Sequence, residues 1–182
     1  MAEDSGGDAG DTQKPGQPAE AITGQPHIGI THQYVKDISF ENPNAPESLL
    51  SGQELPHIEV NVDVQARAAQ DSRYEVSLRV TASAKQDDTT IFVVEVIYAG
   101  LFVLQNVPQD QIHAMCLIEC PRLLFPYARR IVSDLTRDGG FPPLLLDPID
   151  FAELFRHYMA QQQQAQAAAD KPAKEGNGAA TP

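Results

Sequence analysis

Residues 34–41 (YVKDISFE) alternate, with Tyr34, Ile38 and Phe40 on one face of an extended segment and Asp37, Ser39 and Glu41 on the other. That period of two predicts a strand, and the turn-forming run at residues 42–46 (NPNAP) ends it. Residues 58–66 (IEVNVDVQA) alternate strictly and turn Ile58, Val60, Val62 and Val64 inward. Residues 74–83 (YEVSLRVTAS) do the same with Tyr74, Val76, Leu78 and Val80. Beyond a turn at Asp87 and Asp88, residues 90–104 (TIFVVEVIYAGLFVL) are apolar on both faces, which predicts a strand covered on both sides. Four strands in succession, joined by short links, predict an antiparallel sheet.

The period then changes. Over residues 109–136 the apolar positions Ile112, Met115, Leu124, Ala128, Ile131, Val132 and Leu135 recur at helical spacing. Pro121 and Pro126 predict a kink or interruption, and Gly139 and Gly140 a stop. Residues 141–149 (FPPLLLDPI) read as an apolar, proline-rich connector. Asp150 is placed to cap a short last helix, with Glu153 three residues on as its capping-box partner. Phe151, Leu154, Phe155 and Tyr158 fall on one stripe of that helix. The fold class is α+β, a four-stranded antiparallel sheet followed by two helices, over residues 31–160.

Composition sets the limits around this domain. Residues 1–30 are rich in Gly, Pro and Asp and are expected to be disordered. Residues 161–182 lack an apolar face; their first part extends the last helix and the rest is expected to be a flexible tail. No leader peptide and no bilayer-spanning run is expected, which points to a protein that stays in the cytoplasm. Of the net charge of −12, −8 lies within residues 31–159. Such a field repels nucleic acid and anionic membranes and attracts basic partners. The fourth strand, the connector and the last helix together carry more apolar surface than one sheet-and-helix layer covers, so self-assembly or a binding surface is expected.

Candidate chemistry is sparse. No phosphate-cradling loop and no dinucleotide fingerprint occurs, so nucleotide-driven action has no support. His113, Cys116 and Cys120 fall on one helix face and read either as a metal half-site or activated thiol, or as an ordinary packed face. No catalytic residue, metal or cofactor is assigned. Glu95 stands out by interrupting an apolar strand, on the same face as Ile91, Val93 and Ile97. Asp37 and Glu41 share a face about 13 Å apart at a strand's rise per residue. These carboxylates read either as a solvated sheet face or as an acidic patch with an apolar centre at Val93, suited to a basic peptide.

Several strings then resemble one known family. Residues 34–46 (YVKDISFENPNAP) are similar to the opening signature of the SecB export chaperones. The likeness continues through residues 74–81, 92–100 and 120–129 (CPRLLFPYAR) and closes with residues 140–151 (GFPPLLLDPIDF). The resemblance implies a Greek-key crossover in the sheet and a homotetramer built as a dimer of dimers, with helices between the sheets. It implies an ATP-independent chaperone that holds unfolded precursor polypeptides and delivers them to SecA. The family's SecA-contacting positions fall on Asp37, Glu41, Val93 and Glu95, with Val93 standing where relatives usually carry leucine. Leu49, Leu50 and Leu55 stand where relatives often place aromatics. Candidate client-groove residues are Leu49, Leu55, Phe141, Leu144, Leu146, Phe151, Leu154, Phe155 and Tyr158, each of which also fits subunit or tetramer packing. Two alternatives stay open: a peptide-binding module of the same fold dedicated to one partner, of the toxin-system type, and a thiol or metal enzyme built on His113, Cys116 and Cys120.

Overall fold

Strict alternation becomes strand pairing. In the computed structural model, which describes residues 24–50, 55–70 and 73–169, β2 (His57–Ala68) pairs antiparallel with β3 (Arg73–Gln86). The register sets Val62 opposite Val80 and Val64 opposite Leu78. β3 turns into β4 (Thr89–Gln105), and β4 pairs on its far side with β1 (His27–Glu41), giving the order β1-β4-β3-β2. The chain therefore crosses from one edge of the sheet to the other between β1 and β2, through the single turn α1 (Glu47–Leu50). Expectations for residues 1–23 and 170–182 lie outside the described residues.

Two helices follow. α2 (Ile112–Asp138) packs across β4 and β3, and α3 (Phe151–Ala169) packs on α2. Val76, Leu78, Val80, Val94, Val96 and Phe102 from the sheet meet Cys120, Leu124, Ala128 and Val132 from α2 in one core, all fully buried. Pro121 and Pro126 do not interrupt α2. Each removes one backbone donor, and the continuous buried stripe on the sheet carries the helix past them. Asp150 caps α3 as expected, its Oδ1 accepting the N–H groups of Ala152 and Glu153 at 2.9 and 3.1 Å. Glu153 does not close a capping box; its carboxylate lies 3.7 Å from His157 one turn on.

Three further expectations need correction. β1 begins at His27, inside the segment expected to be disordered, because Ile28 and Ile30 pack against the core. A bulge between Val35 and Asp37 reverses the alternation within β1. Ile38 and Phe40 face the helices with Val96 and Val94, whereas Tyr34 lies opposite Ala99 on the other face. Finally, both helices sit on one face of β4, and no described element covers the other. Val93 and Ile97 are half-buried there, whereas Ile91, expected on the same face, sits at the bulge between Ala84 and Lys85 and packs against the core.

On that open face, called the outer face below, Glu75 is only 5% exposed. Tyr34 and Lys36 from β1 and Arg67 from β2 all bond to its carboxylate, so one group ties both edge strands to β3. Burial pushes the Glu75 pKa up, but the hydrogen bonds from Tyr34, Arg67 and Lys36 outweigh it and hold the value at about 2. A carboxylate held below its ordinary value of 4.5 stabilises the fold above that pH and loses the contribution as pH falls toward 2. Resistance to denaturant is therefore expected to fall as pH drops through this window, and Glu75→Gln to flatten that part of the profile. An unchanged profile in the variant would show that the cluster does not set acid stability.

Candidate functional site

The outer face orders its charges in rows across the strands. Glu41, Val93, Ser83 and Glu59 form one row; Ser39, Glu95, Thr81 and Asn61 the next; Asp37, Ile97, Arg79 and Asp63 the third. Asp37, Glu41, Val93 and Glu95 are thus brought together on β1 and β4, on three neighbouring rows. The bulge that reverses β1 also lets consecutive residues serve this face, Lys36 on Glu75 and Asp37 beside Ile97. Five carboxylates lie in the three rows, two of them on β2.

Three of the carboxylates are already engaged: Glu59 lies 3.9 Å from Lys85 Nζ, Asp63 Oδ2 accepts from Gln65 Nε2 at 3.0 Å, and Glu95 is held most closely. Arg79 Nη1 lies 2.5 Å from Glu95 Oε1, and Thr81 donates its hydroxyl to Glu95 Oε2 at 3.3 Å, leaving the Glu95 side chain 27% exposed. Asp37 and Glu41 are exposed and make no ion pair among the described residues. The patch is therefore a pair of free carboxylates at one edge, an apolar centre at Val93 and Ile97, and a third carboxylate oriented by an internal cation. Arg79 was not singled out from sequence, because its place beside Glu95 depends on strand register.

The opposite face carries the apolar surface. β2 is a free edge, and its inward residues outrun the helices: Ile58 and Val60 face the helix side yet are exposed. Three clefts follow one another along this strand. The first, about 280 Å³, lies between the crossover and the connector and is lined by Leu55, Ile58, Ile91, Phe92, Phe141 and Leu144. The second, about 630 Å³, runs from Ile58 through Val62 to Leu144, Leu145 and Leu154. The third, about 200 Å³, lies between Val62, Val64, Leu117, Leu154, Phe155 and Tyr158.

Of the predicted groove residues, Leu55, Phe141, Leu144, Leu154, Phe155 and Tyr158 line these clefts. Leu49 is exposed beside them and covers Gly140, whose φ of +90° suits glycine. Leu146 borders the second cleft but is buried. Phe151 is 1% exposed and stacks edge-on against Phe125, so it belongs to the core and not to the groove. The floor from β2 and the exposed Leu145 were missed as groove residues. The strict alternation of residues 58–66 marks a strand but not how far the helices reach over it.

His113, Cys116 and Cys120 do not converge. Cys116 and Cys120 are buried in the core with free thiols, and contact with Cys116 together with burial pushes the Cys120 thiol up. His113 instead faces α3, its ring 5.8 Å from Phe155 and 6.5 Å from Tyr158. The described residues hold no group of three metal-ligating side chains, and no helix is long and apolar enough to cross a membrane.

Comparison with known proteins agrees with this layout. The profile of the family described as "Preprotein translocase subunit SecB" matches residues 21–163. The chain is 49% identical to the protein-export protein SecB of Maricaulis maris, over 94% of this chain and 97% of that one. It is 48% identical to the protein of the same name from Rhodopseudomonas palustris, over 82% and 94%. A solved Mycobacterium tuberculosis SecB-like chaperone, in complex with an antitoxin peptide, superimposes with a TM-score of 0.50 at 21% identity, over 67% of this chain and 87% of that one, and so shares the fold. The chain belongs to the SecB family of protein-export chaperones.

Proposed function

We propose that this export chaperone uses the two faces of its sheet for two partners. Unfolded precursor polypeptides lie in the clefts along β2, and SecA meets the acidic outer face. The observation that carries the reading is the run of exposed apolar side chains, Leu55, Ile58, Val60 and Leu145, along connected clefts that no element among the described residues covers. A single cleft gives weak binding, but a client long enough to occupy several gains avidity without any tight contact. Because only the unfolded client fits an extended groove, holding it back from folding is mass action and needs no nucleotide.

Assembly follows from a second apolar patch, on the β1 side. Val35 and Ile38 from β1 and Leu123 and Tyr127 from α2 are exposed there, with Tyr98 stacked on Tyr127 at 5.6 Å. This patch supports the homotetramer, with α2 between sheets, and leaves both the clefts and the acidic face open. The work is placed in the cytoplasm, where precursors are made.

The test is suppression of aggregation of a denatured client by the purified protein without ATP, then release on adding SecA. Holding of several unrelated clients is expected, unchanged by nucleotide. Binding to one peptide sequence only would favour a dedicated single-partner module, and dependence on ATP would overturn the reading.

A further inference from the structure

One wall of the first cleft is residues 141–144, Phe-Pro-Pro-Leu. The two prolines have no N–H, so only Phe141 and Leu144 can tie this wall to the body through backbone donors. Both donors end on one residue. The Phe141 N–H donates to the Thr136 carbonyl oxygen at 3.1 Å, and the Leu144 N–H donates to Thr136 Oγ1 at 2.9 Å. Thr136 is fully buried in the last turns of α2, and its own hydroxyl proton is shared between the carbonyls of Val132 and Ser133, each at 3.1 Å.

The two ends of the wall are not held alike. Phe141 has a second anchor, since its ring packs 5.0 Å from Phe92 and 6.4 Å from Phe40. Leu144 is half-buried and opens onto the exposed Leu145, so the Thr136 hydroxyl is the polar anchor at that end. A part-buried N–H that loses its acceptor must reach water, and here it does so only if the connector moves outward. Leu144 lines both the first and the second cleft, so that movement changes both.

We propose that Thr136 is a positioning residue of the client groove: its hydroxyl sets where the Leu144 end of the wall stands, and with it the fit of an apolar client segment. The proposal rests on the groove reading above. Thr136→Val keeps the branched shape and removes the acceptor. Exchange of the Leu144 amide in the native tetramer is expected to speed up about tenfold, the size of one net hydrogen bond. Dissociation of a denatured, fluorescently labelled precursor should quicken about three- to tenfold, with SecA binding on the opposite face unchanged. Thr136→Ser restores an acceptor and should return both rates.

Unchanged amide exchange in the valine variant would overturn the proposal, and so would faster exchange with unchanged client release. Equal loss of client holding, SecA binding and melting temperature, not rescued by serine, would mean a general packing defect and also defeat it. Leu145→Asp separates the two layers of the argument. If that exposed change leaves client holding intact, the groove reading falls and the proposal with it; if it abolishes holding while Thr136→Val does nothing, only the proposal falls.

Discussion

Replacing Glu95 with lysine is expected to weaken SecA binding by several kcal/mol and to leave client holding in place. The substitution acts twice. It removes a carboxylate from the acidic face, and it sets a new cation against both the basic segment proposed to dock there and Arg79, whose carboxylate partner is lost. Because Arg79 already engages Glu95, the neutral change Glu95→Gln is the cleaner measure of the attraction alone, and a smaller loss is expected from it. The ion pair is itself half-exposed, so its removal should cost the fold only about 0.2–1 kcal/mol. Asp37→Lys should behave like Glu95→Lys in binding without disturbing an internal pair. All these losses should shrink as salt rises, since the groups are near solvent. SecA affinity measured at low and high salt on each variant decides the matter. Normal binding by Glu95→Lys would remove this face from the SecA site, and parallel loss of client holding would mean that the two faces are not independent.

What could be read from the sequence was whatever a period of two or 3.6 encodes directly. The alternation in residues 58–66 and 74–83 gave two strands and their buried faces, because a side chain's face follows from parity once the strand exists. Parity fails where the chain inserts a residue. The bulge at Lys36 moved Tyr34 to the outer face, and the register shift between Ala84 and Lys85 is what sets Arg79 opposite Ile97 and beside Glu95. With the pairing of Gln86 and Thr89 continued unshifted, Arg79 would stand opposite Val96, a core residue. No single-strand pattern reports such a shift, so the residue pattern singled out the four positions and the resemblance assigned them, while the engagement of Glu95 by Arg79 depended on strand register. The bulge between Ile30 and His32 hid the start of β1 in the same way, because it puts Ile28 and Ile30 out of phase with Val35. The groove residues were only partly legible for a different reason. An apolar residue in a connector reads the same whether it is Leu146, buried, or Leu145, 68% exposed, and only the path of the chain over β2 separates them.

That separation gives opposite outcomes for neighbouring substitutions. Phe92 lies beneath the first cleft, stacked 5.8 Å from Phe40 and tilted against Phe141 at 5.0 Å, and is almost fully buried. Phe92→Ala should cost about 3–5 kcal/mol of unfolding free energy, through lost transfer and the cavity left behind. The wall of the cleft rests on that ring, so client holding should fall only as the fold itself loosens, and the two losses should track each other across denaturant. Leu55 is 93% exposed and Leu145 is 68% exposed, so neither supports the core. Leu145→Asp is expected to leave unfolding within about 0.5 kcal/mol of the parent. It places a charge on the floor that an apolar client must desolvate, and client affinity should drop about tenfold or more. Leu55→Ala removes apolar contact without adding charge and should show the same direction at smaller size. Unfolding curves and client dissociation constants measured together on the three variants test the assignment. If Leu145→Asp unfolds the protein, the connector is core and not groove; if it binds clients normally, the clefts along β2 are not where precursors are held.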